Sequence, residues 1–65
     1  MTTNEKHDYY LAREQQASVE GFDVTAHLYA SLKVLATNGA PDPITAIEQI
    51  ADAIEKLEAR LNAAS

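Results

Sequence analysis

A chain of 65 residues has room for one folded domain, so residues 1–65 are expected to form a single unit. With 46% apolar residues and no cysteine, the chain can build a small core but cannot stabilise it with disulfides, and no Cys and His set predicts a structural zinc. A net charge of −5, with five scattered Lys and Arg residues, argues against binding to nucleic acid or to anionic lipid.

The amino-terminal residues show none of the usual targeting features. They lack the basic start and the apolar run of a signal peptide. No apolar stretch approaches the roughly 20 residues that a membrane span requires. Together with the absence of cysteine, which is typical of reducing compartments, these features predict a cytoplasmic protein that does not contact membranes.

The first half of the chain is rich in good helix formers, and Gly21 is the residue there that favours a break. Two interpretations compete: Gly21 ends a first helix and Asp23 caps a second, or one long helix passes through the glycine with a bend. We prefer the continuous helix, because the apolar face keeps its phase across Gly21. The residues of that face are Tyr10, Ala17, Gly21, Val24, Leu28 and Leu35.

A turn is predicted over residues 37–43, where a glycine suited to a helix C-cap precedes two prolines. Asp42 as N-cap and Pro43 in the first helical position then begin a second helix over 43–63. Apolar residues recur in this helix at alternating steps of three and four, the spacing of a seam against a nearly parallel neighbour. They are Ile47, Ile50, Ile54, Leu57, Leu61 and Ala64.

These elements predict an all-α helical hairpin. The first helix also carries a second apolar edge, about 100° around the helix from the first. Because one partner helix covers only one edge, we expect a second chain to cover the other, giving a four-helix-bundle dimer or a higher homo-oligomer. The residues assigned to this self-association are Leu11, Phe22, Tyr29 and Leu32.

Catalytic motifs are missing from the sequence: there is no Gly-rich phosphate loop, no nucleophile elbow and no zinc-protease histidine pair. His27, with Glu20 and Asp23 on preceding turns, could offer metal ligands. A solvated polar face is the simpler interpretation of these three residues. We therefore expect no enzymatic activity, no cofactor and no bound metal.

Tyrosine and charged side chains are the best candidates for contact with another protein. Tyr9 projects away from the main apolar face, and tyrosine is frequent at interfaces. An acidic row lies opposite the seam of the second helix, and a polar run surrounds Arg13, although such charged faces are more often simply solvated. The predicted partner-binding residues are Tyr9, Arg13, Glu48, Asp52 and Glu55.

Three functions fit these expectations. The leading hypothesis is a small protein-interaction module, comparable in size to phage or mobile-element inhibitors that occlude a larger host protein. The second is a sponge that encloses a small nucleotide-like ligand at a subunit interface. The third is a structural scaffold subunit. The expected partners are further copies of the chain and an unidentified protein.

Overall fold

A computed structural model describes residues 3–39 and 41–64, and this part of the chain forms three helices without a strand. They are α1 (Thr3–Val19), α2 (Asp23–Asn38) and α3 (Pro41–Ala64). The all-α prediction is confirmed, whereas the prediction of two helices is wrong. The last helix begins two residues before the predicted position, and the side chain of Asp42, the predicted N-cap, lies outside the described part.

Gly21 ends α1, so the preferred continuous helix is incorrect. The glycine adopts a positive φ of 80°, which residues with a Cβ rarely do. Its amide donates to the carbonyl of Ser18 at 3.2 Å, and the amide of Phe22 donates to that of Ala17 at 2.8 Å. These two bonds form a Schellman motif, which satisfies the last carbonyls of a helix and redirects the chain.

The phase argument for continuity fails because α2 turns a different face inward. Its buried residues are Thr25, Tyr29, Leu32 and Ala36. This line lies about 100° around the helix from the predicted one. Val24, which belonged to the predicted face, is half exposed, and Leu28 and Leu35 are only partly buried. The apolar residues before and after Gly21 therefore have the same helical phase, although they belong to two separate helices.

The three helices form an up-down-up bundle in which α2 packs against both of the others. The short turn between α1 and α2 requires α2 to run back along α1, and polar pairs bridge the two helices, with Lys33 bonded to Glu14 at 3.0 Å and Tyr29 accepting from Arg13 at 3.2 Å. Parallel helices α1 and α3 are joined by long polar side chains. One such link joins Arg13 of α1 to Glu55 of α3, and the side-chain amide of Asn62 donates to the carbonyl of Glu20, the residue after α1, at 3.3 Å.

In the described part of the chain, the core contains three alanines among its buried residues. Buried apolar side chains include Tyr10, Ala17, Tyr29, Leu32, Ala36, Ile44 and Ala51. Leu32 and Thr25 are the largest side chains that are fully buried. Alanine adds little apolar area to a core, so the interior of one chain supplies limited hydrophobic stabilisation.

Replacing Gly39 with alanine is expected to destabilise the fold by about 1 kcal/mol. Gly39 ends α2 with φ 71°, and its amide donates to the carbonyl of Ala36 at 3.3 Å. A Cβ there would meet nothing within 4 Å, so the cost comes from the left-handed backbone alone. Urea denaturation monitored by circular dichroism measures this loss of stability. An unchanged midpoint would mean that this turn does not require a positive φ.

Candidate interaction surfaces

An arginine-centred cluster joins all three helices. Arg13 of α1 donates from Nη2 to both carboxylate oxygens of Glu55 on α3, at 2.8 and 2.7 Å. The same nitrogen lies 3.2 Å from the hydroxyl of Tyr29 on α2, and the guanidinium carbon lies 5.2 Å from the centroid of that ring. Charge-assisted bonds of this kind are stronger than neutral ones, so the cluster fixes α1 against the other two helices.

Three tyrosines extend this cluster. The ring of Tyr10 lies 5.6 Å from that of Tyr9 in an edge-on arrangement and 6.3 Å from that of Tyr29, distances typical of favourable aromatic pairs. The hydroxyl of Tyr10 donates to the carboxylate of Glu48 on α3. Tyr10 and Tyr29 are buried, whereas about half of Tyr9 stays exposed. Tyr9 is therefore the ring of this aromatic group that another protein can contact.

Stability is expected to fall at alkaline pH because of two of these tyrosines. Burial, followed by the hydrogen bond to Glu48, raises the pKa of Tyr10 well above its ordinary value of 10.0, and burial also raises the pKa of Tyr29. A pKa raised by folding contributes stability that is complete below pH 10 and is lost as the pH rises further. Urea midpoints at pH 8 and pH 11 test this, and Tyr10→Phe should show the weaker pH dependence.

Glu58 of α3 caps the amino terminus of α2. Its Oε1 accepts from the amide and the hydroxyl of Thr25, both at 2.7 Å, and its Oε2 accepts from the amide of Val24 at 3.3 Å. Phe22, which stands at the N-cap position of α2, makes no side-chain cap bond. A carboxylate from another helix thus satisfies the free amides and opposes the positive end of the helix dipole.

We expect Glu58→Gln to lower stability at neutral pH. The hydrogen bond from the Thr25 hydroxyl, together with the bonds from the two backbone amides, holds the pKa of Glu58 below its ordinary 4.5. A lowered pKa contributes stability that is present above pH 4.5 and disappears as the pH falls. The difference in urea midpoint between wild type and variant should therefore narrow in acid. Asp52→Asn, which alters an exposed pair with Lys56, is the matched control and should change little.

Sequence reasoning did not identify this cap. In the alternative with a break at Gly21, Asp23 was the expected cap of a second helix, but it is the first residue of α2, and Phe22 stands at the N-cap position. Phenylalanine cannot cap a helix with its own side chain, so the amides are satisfied by Glu58, which lies 33 positions beyond Thr25 in the chain. No local sequence pattern indicates that contact.

The predicted partner-binding residues lie at or beside the arginine-centred cluster. Arg13 and Glu55 bond each other with 29% of each side chain exposed, and Glu48 bonds Tyr10. Asp52 pairs with Lys56 one turn along α3 at 3.1 Å. Tyr9 keeps free ring surface. A role of these residues in binding a partner stays a prediction, with the charged members already engaged within the chain.

The predicted self-association residues occupy the interior and its margin. Tyr29 and Leu32 are buried in the core of the single chain, and Leu11 and Phe22 are partly buried. A second copy could not reach Tyr29 or Leu32 without displacing α1 or α3. Self-association therefore stays a prediction that needs a different surface.

Such a surface lies along α3. Its apolar seam contains four residues spaced by four, three and four, which we call the α3 stripe: Ile50, Ile54, Leu57 and Leu61. The stripe is only partly covered, with Ile50 51%, Leu57 48% and Leu61 61% exposed. The hydrogen bond from the backbone amide of Val24 to the carboxylate of Glu58 places Val24, itself half exposed, beside the stripe.

The helix turns a more polar side toward its neighbours. Ile44 and Ala51 are buried there, and the carboxylates of Glu55 and Glu58 lie on the same side with their partners on α1 and α2. The predicted seam and this buried side differ by roughly a quarter turn of the helix. Polar bonds therefore set the rotation of α3, and the stripe remains at the edge of the bundle.

Other kinds of site are not found among residues 3–39 and 41–64. That part of the chain holds no pocket and no group of three His, Asp or Glu side chains that could hold a metal. None of its helices combines the length and the hydropathy needed to cross a membrane. Comparisons with family models, curated proteins and solved structures find no match.

Proposed function

We propose that this chain is a protein-interaction module whose contact surface is the α3 stripe. One observation carries the proposal: α3 exposes large apolar side chains along one side. Leu57 is 48% and Leu61 is 61% exposed, whereas the apolar residue of α3 that is completely buried is the small Ala51. Burying a leucine contributes about 1.5–3 kcal/mol, so a protein partner on the stripe would recover stabilisation that the single chain lacks.

The form of the stripe supports a helical partner. Steps of three and four residues align side chains along one side of a helix, the pattern by which helices pack against each other. Contiguous exposed apolar surface is uncommon on small monomers and usually marks an interface. The antiparallel hairpin of α2 and α3 presents the stripe, and it is the unit from which the expected four-helix-bundle dimer or higher oligomer would be built.

A second contact region serves the larger partner in this proposal. Tyr9 lies on α1, apart from the stripe, and joins an exposed ring to the arginine-centred cluster. We retain it as the contact with the protein that the module occludes, in line with the inhibitor hypothesis. Tyrosine suits this role because it gives a large contact area at a low entropic cost.

Site-specific photocrosslinking in the cells that naturally make the chain tests the proposal. Leu57 is replaced by benzoylphenylalanine in one variant and Lys56, an exposed neighbour on a different side of α3, in a matched control. We expect a protein adduct from position 57 and little from position 56. A third variant at Tyr9 examines the second region. Equal or absent adducts at positions 56 and 57 would refute the assignment of the stripe.

A further inference from the structure

We infer that the protein covering the α3 stripe is a second copy of this chain, packed antiparallel about a two-fold axis. The α2 and α3 hairpins of the two copies would then form a four-helix core, with each α1 on its outside. This inference rests on the proposed function, because it names the occupant of that surface. Charge, shape and accessibility each support it.

The charge distribution favours contact between copies at the stripe. With a net charge of −5, two copies repel each other wherever their carboxylates meet. The acidic side chains described on α3 are bonded within the chain. Glu48, Asp52 and Glu55 lie across the helix from the stripe and pair with Tyr10, Lys56 and Arg13. Glu58 lies beside the stripe, but its carboxylate is turned toward the amides of α2. The stripe is thus a place where two acidic chains can approach without opposing carboxylates.

Small residues border the stripe on the side away from α2. Ala46 and Ala53 are exposed there. Within residues 43–64, Arg60 is the one charged residue on this border. Alanines beside a row of isoleucine and leucine let a second helix approach to the 8–10 Å typical of packed helices. Because the stripe is spaced as a heptad seam, a copy of itself supplies both the knobs and the holes that it needs.

The antiparallel orientation follows from dipoles and from Arg60. Opposed helices pair unlike ends of their dipoles, whereas parallel copies align like ends. An antiparallel pair also separates the two Arg60 side chains, which a parallel pair would bring to the same level. In the resulting register Ile50 faces Leu61 of the second copy, and Ile54 faces Leu57. A two-fold axis between Ile54 and Leu57 relates these contacts, as expected for an isologous dimer.

The rest of the bundle leaves this contact accessible. The residues that link α3 to α1 include Glu48, Glu55 and Asn62, all on the side of α3 away from the stripe. The neighbouring edge of α2 carries Val24 and Ser31, which are exposed and uncharged. A second copy can therefore dock without moving α1 or breaking the arginine-centred cluster.

Sedimentation equilibrium of the purified full chain tests the dimer. We expect a mass of twice 7.1 kDa at micromolar concentration. Leu57→Glu should raise the dimer dissociation constant at least about a hundredfold, because it places a charge in an apolar contact. Val34→Glu, at an apolar position of α2 that is 55% exposed and away from the stripe, is the control and should leave the dimer intact. Leu61→Glu repeats the test at a second position, and circular dichroism checks that each variant stays helical.

The cysteine-free sequence allows a direct test of orientation. Ile50→Cys and Leu61→Cys are prepared as separate variants and oxidised alone or mixed. Antiparallel packing predicts a disulfide between the two variants in the mixture and little dimer from either variant alone. Parallel packing predicts the reverse. Efficient homodimers of each variant, or a statistical mixture of all products, would overturn the antiparallel arrangement.

The two proposals can fail separately. A wild-type chain that stays monomeric to millimolar concentration, or a dimer that Leu57→Glu leaves intact, would overturn the second copy as the occupant. If position 57 then crosslinked a heavier protein in cells, the stripe would still be the contact surface and the interaction module would stand. Absent adducts at position 57 would remove both.

Discussion

Leu32→Ala is expected to unfold most of the protein at room temperature. Leu32 is fully buried at the centre of the core, next to Tyr29 and Ala36 in the same cluster. Truncating a buried leucine to alanine costs about 2–5 kcal/mol, because it removes apolar contacts and leaves a cavity. A core this small supplies only about 3–5 kcal/mol of net stability, so the loss approaches the whole. Far-ultraviolet circular dichroism and urea denaturation measure the effect.

Matched substitutions separate this effect from a general sensitivity of α2. Val34→Ala shortens an apolar side chain on the same helix at an exposed position, and we expect a change within about 0.5 kcal/mol. Leu32→Met keeps the buried volume and should cost less than about 1.5 kcal/mol. If Leu32→Ala unfolds at the wild-type urea concentration, the centre of the core does not lie at Leu32.

The local features of this fold could be predicted from local sequence. Asn38 and Gly39 followed by two prolines define the second turn, and the long breaker-free segment after them is a helix. The role of Gly21 was harder to predict, because glycine serves equally as a helix end and as a small residue inside a packed helix. Its positive φ decides between these roles, and apolar phase does not report that angle.

The rotation of α3 could not be predicted from its periodicity. An isolated helix would turn its row of isoleucine and leucine inward. Here Arg13 and the amide of Thr25 draw Glu55 and Glu58 to the inner side, and the stripe moves to the edge. These bonds join residues more than 30 positions apart in the chain. Such contacts depend on how α1 and α2 pack against α3, and the pattern of one helix does not contain that information.

The candidate surfaces were affected in the same way. The acidic row was expected to face solvent. Asp52 does so and pairs with Lys56 on its own helix, whereas Glu48 and Glu55 bond to Tyr10 and Arg13 on α1. Tyr9 is different, because its exposure depends only on its place on α1 and could be judged from helical phase. The exposure of a side chain on one helix could thus be predicted from the sequence, whereas the bonds between side chains of two helices could not.

Arg13→Ala is expected to lower the free energy of unfolding by about 1–3 kcal/mol. Removing one partner of a buried ion pair costs about 3–5 kcal/mol, because the remaining charge loses its partner. Both Arg13 and Glu55 are 29% exposed, so water screens the pair and reduces this cost. Nε of Arg13 is also buried without a hydrogen-bond partner, which offsets part of what the ion pair contributes.

The loss should be concentrated in α1. This helix contacts α3 through polar side chains and depends on α2 for its apolar packing, so weakening the cluster loosens α1 before the α2 and α3 hairpin. Hydrogen exchange should therefore rise over residues 3–19 and stay low in α2 and α3. Arg13→Lys keeps the charge without the planar fork and should give an intermediate result. In a double-mutant cycle with Glu55→Gln, additive effects on stability would show that the two residues are not coupled. In the exchange experiment, a uniform rise throughout the chain would show that α1 does not open on its own.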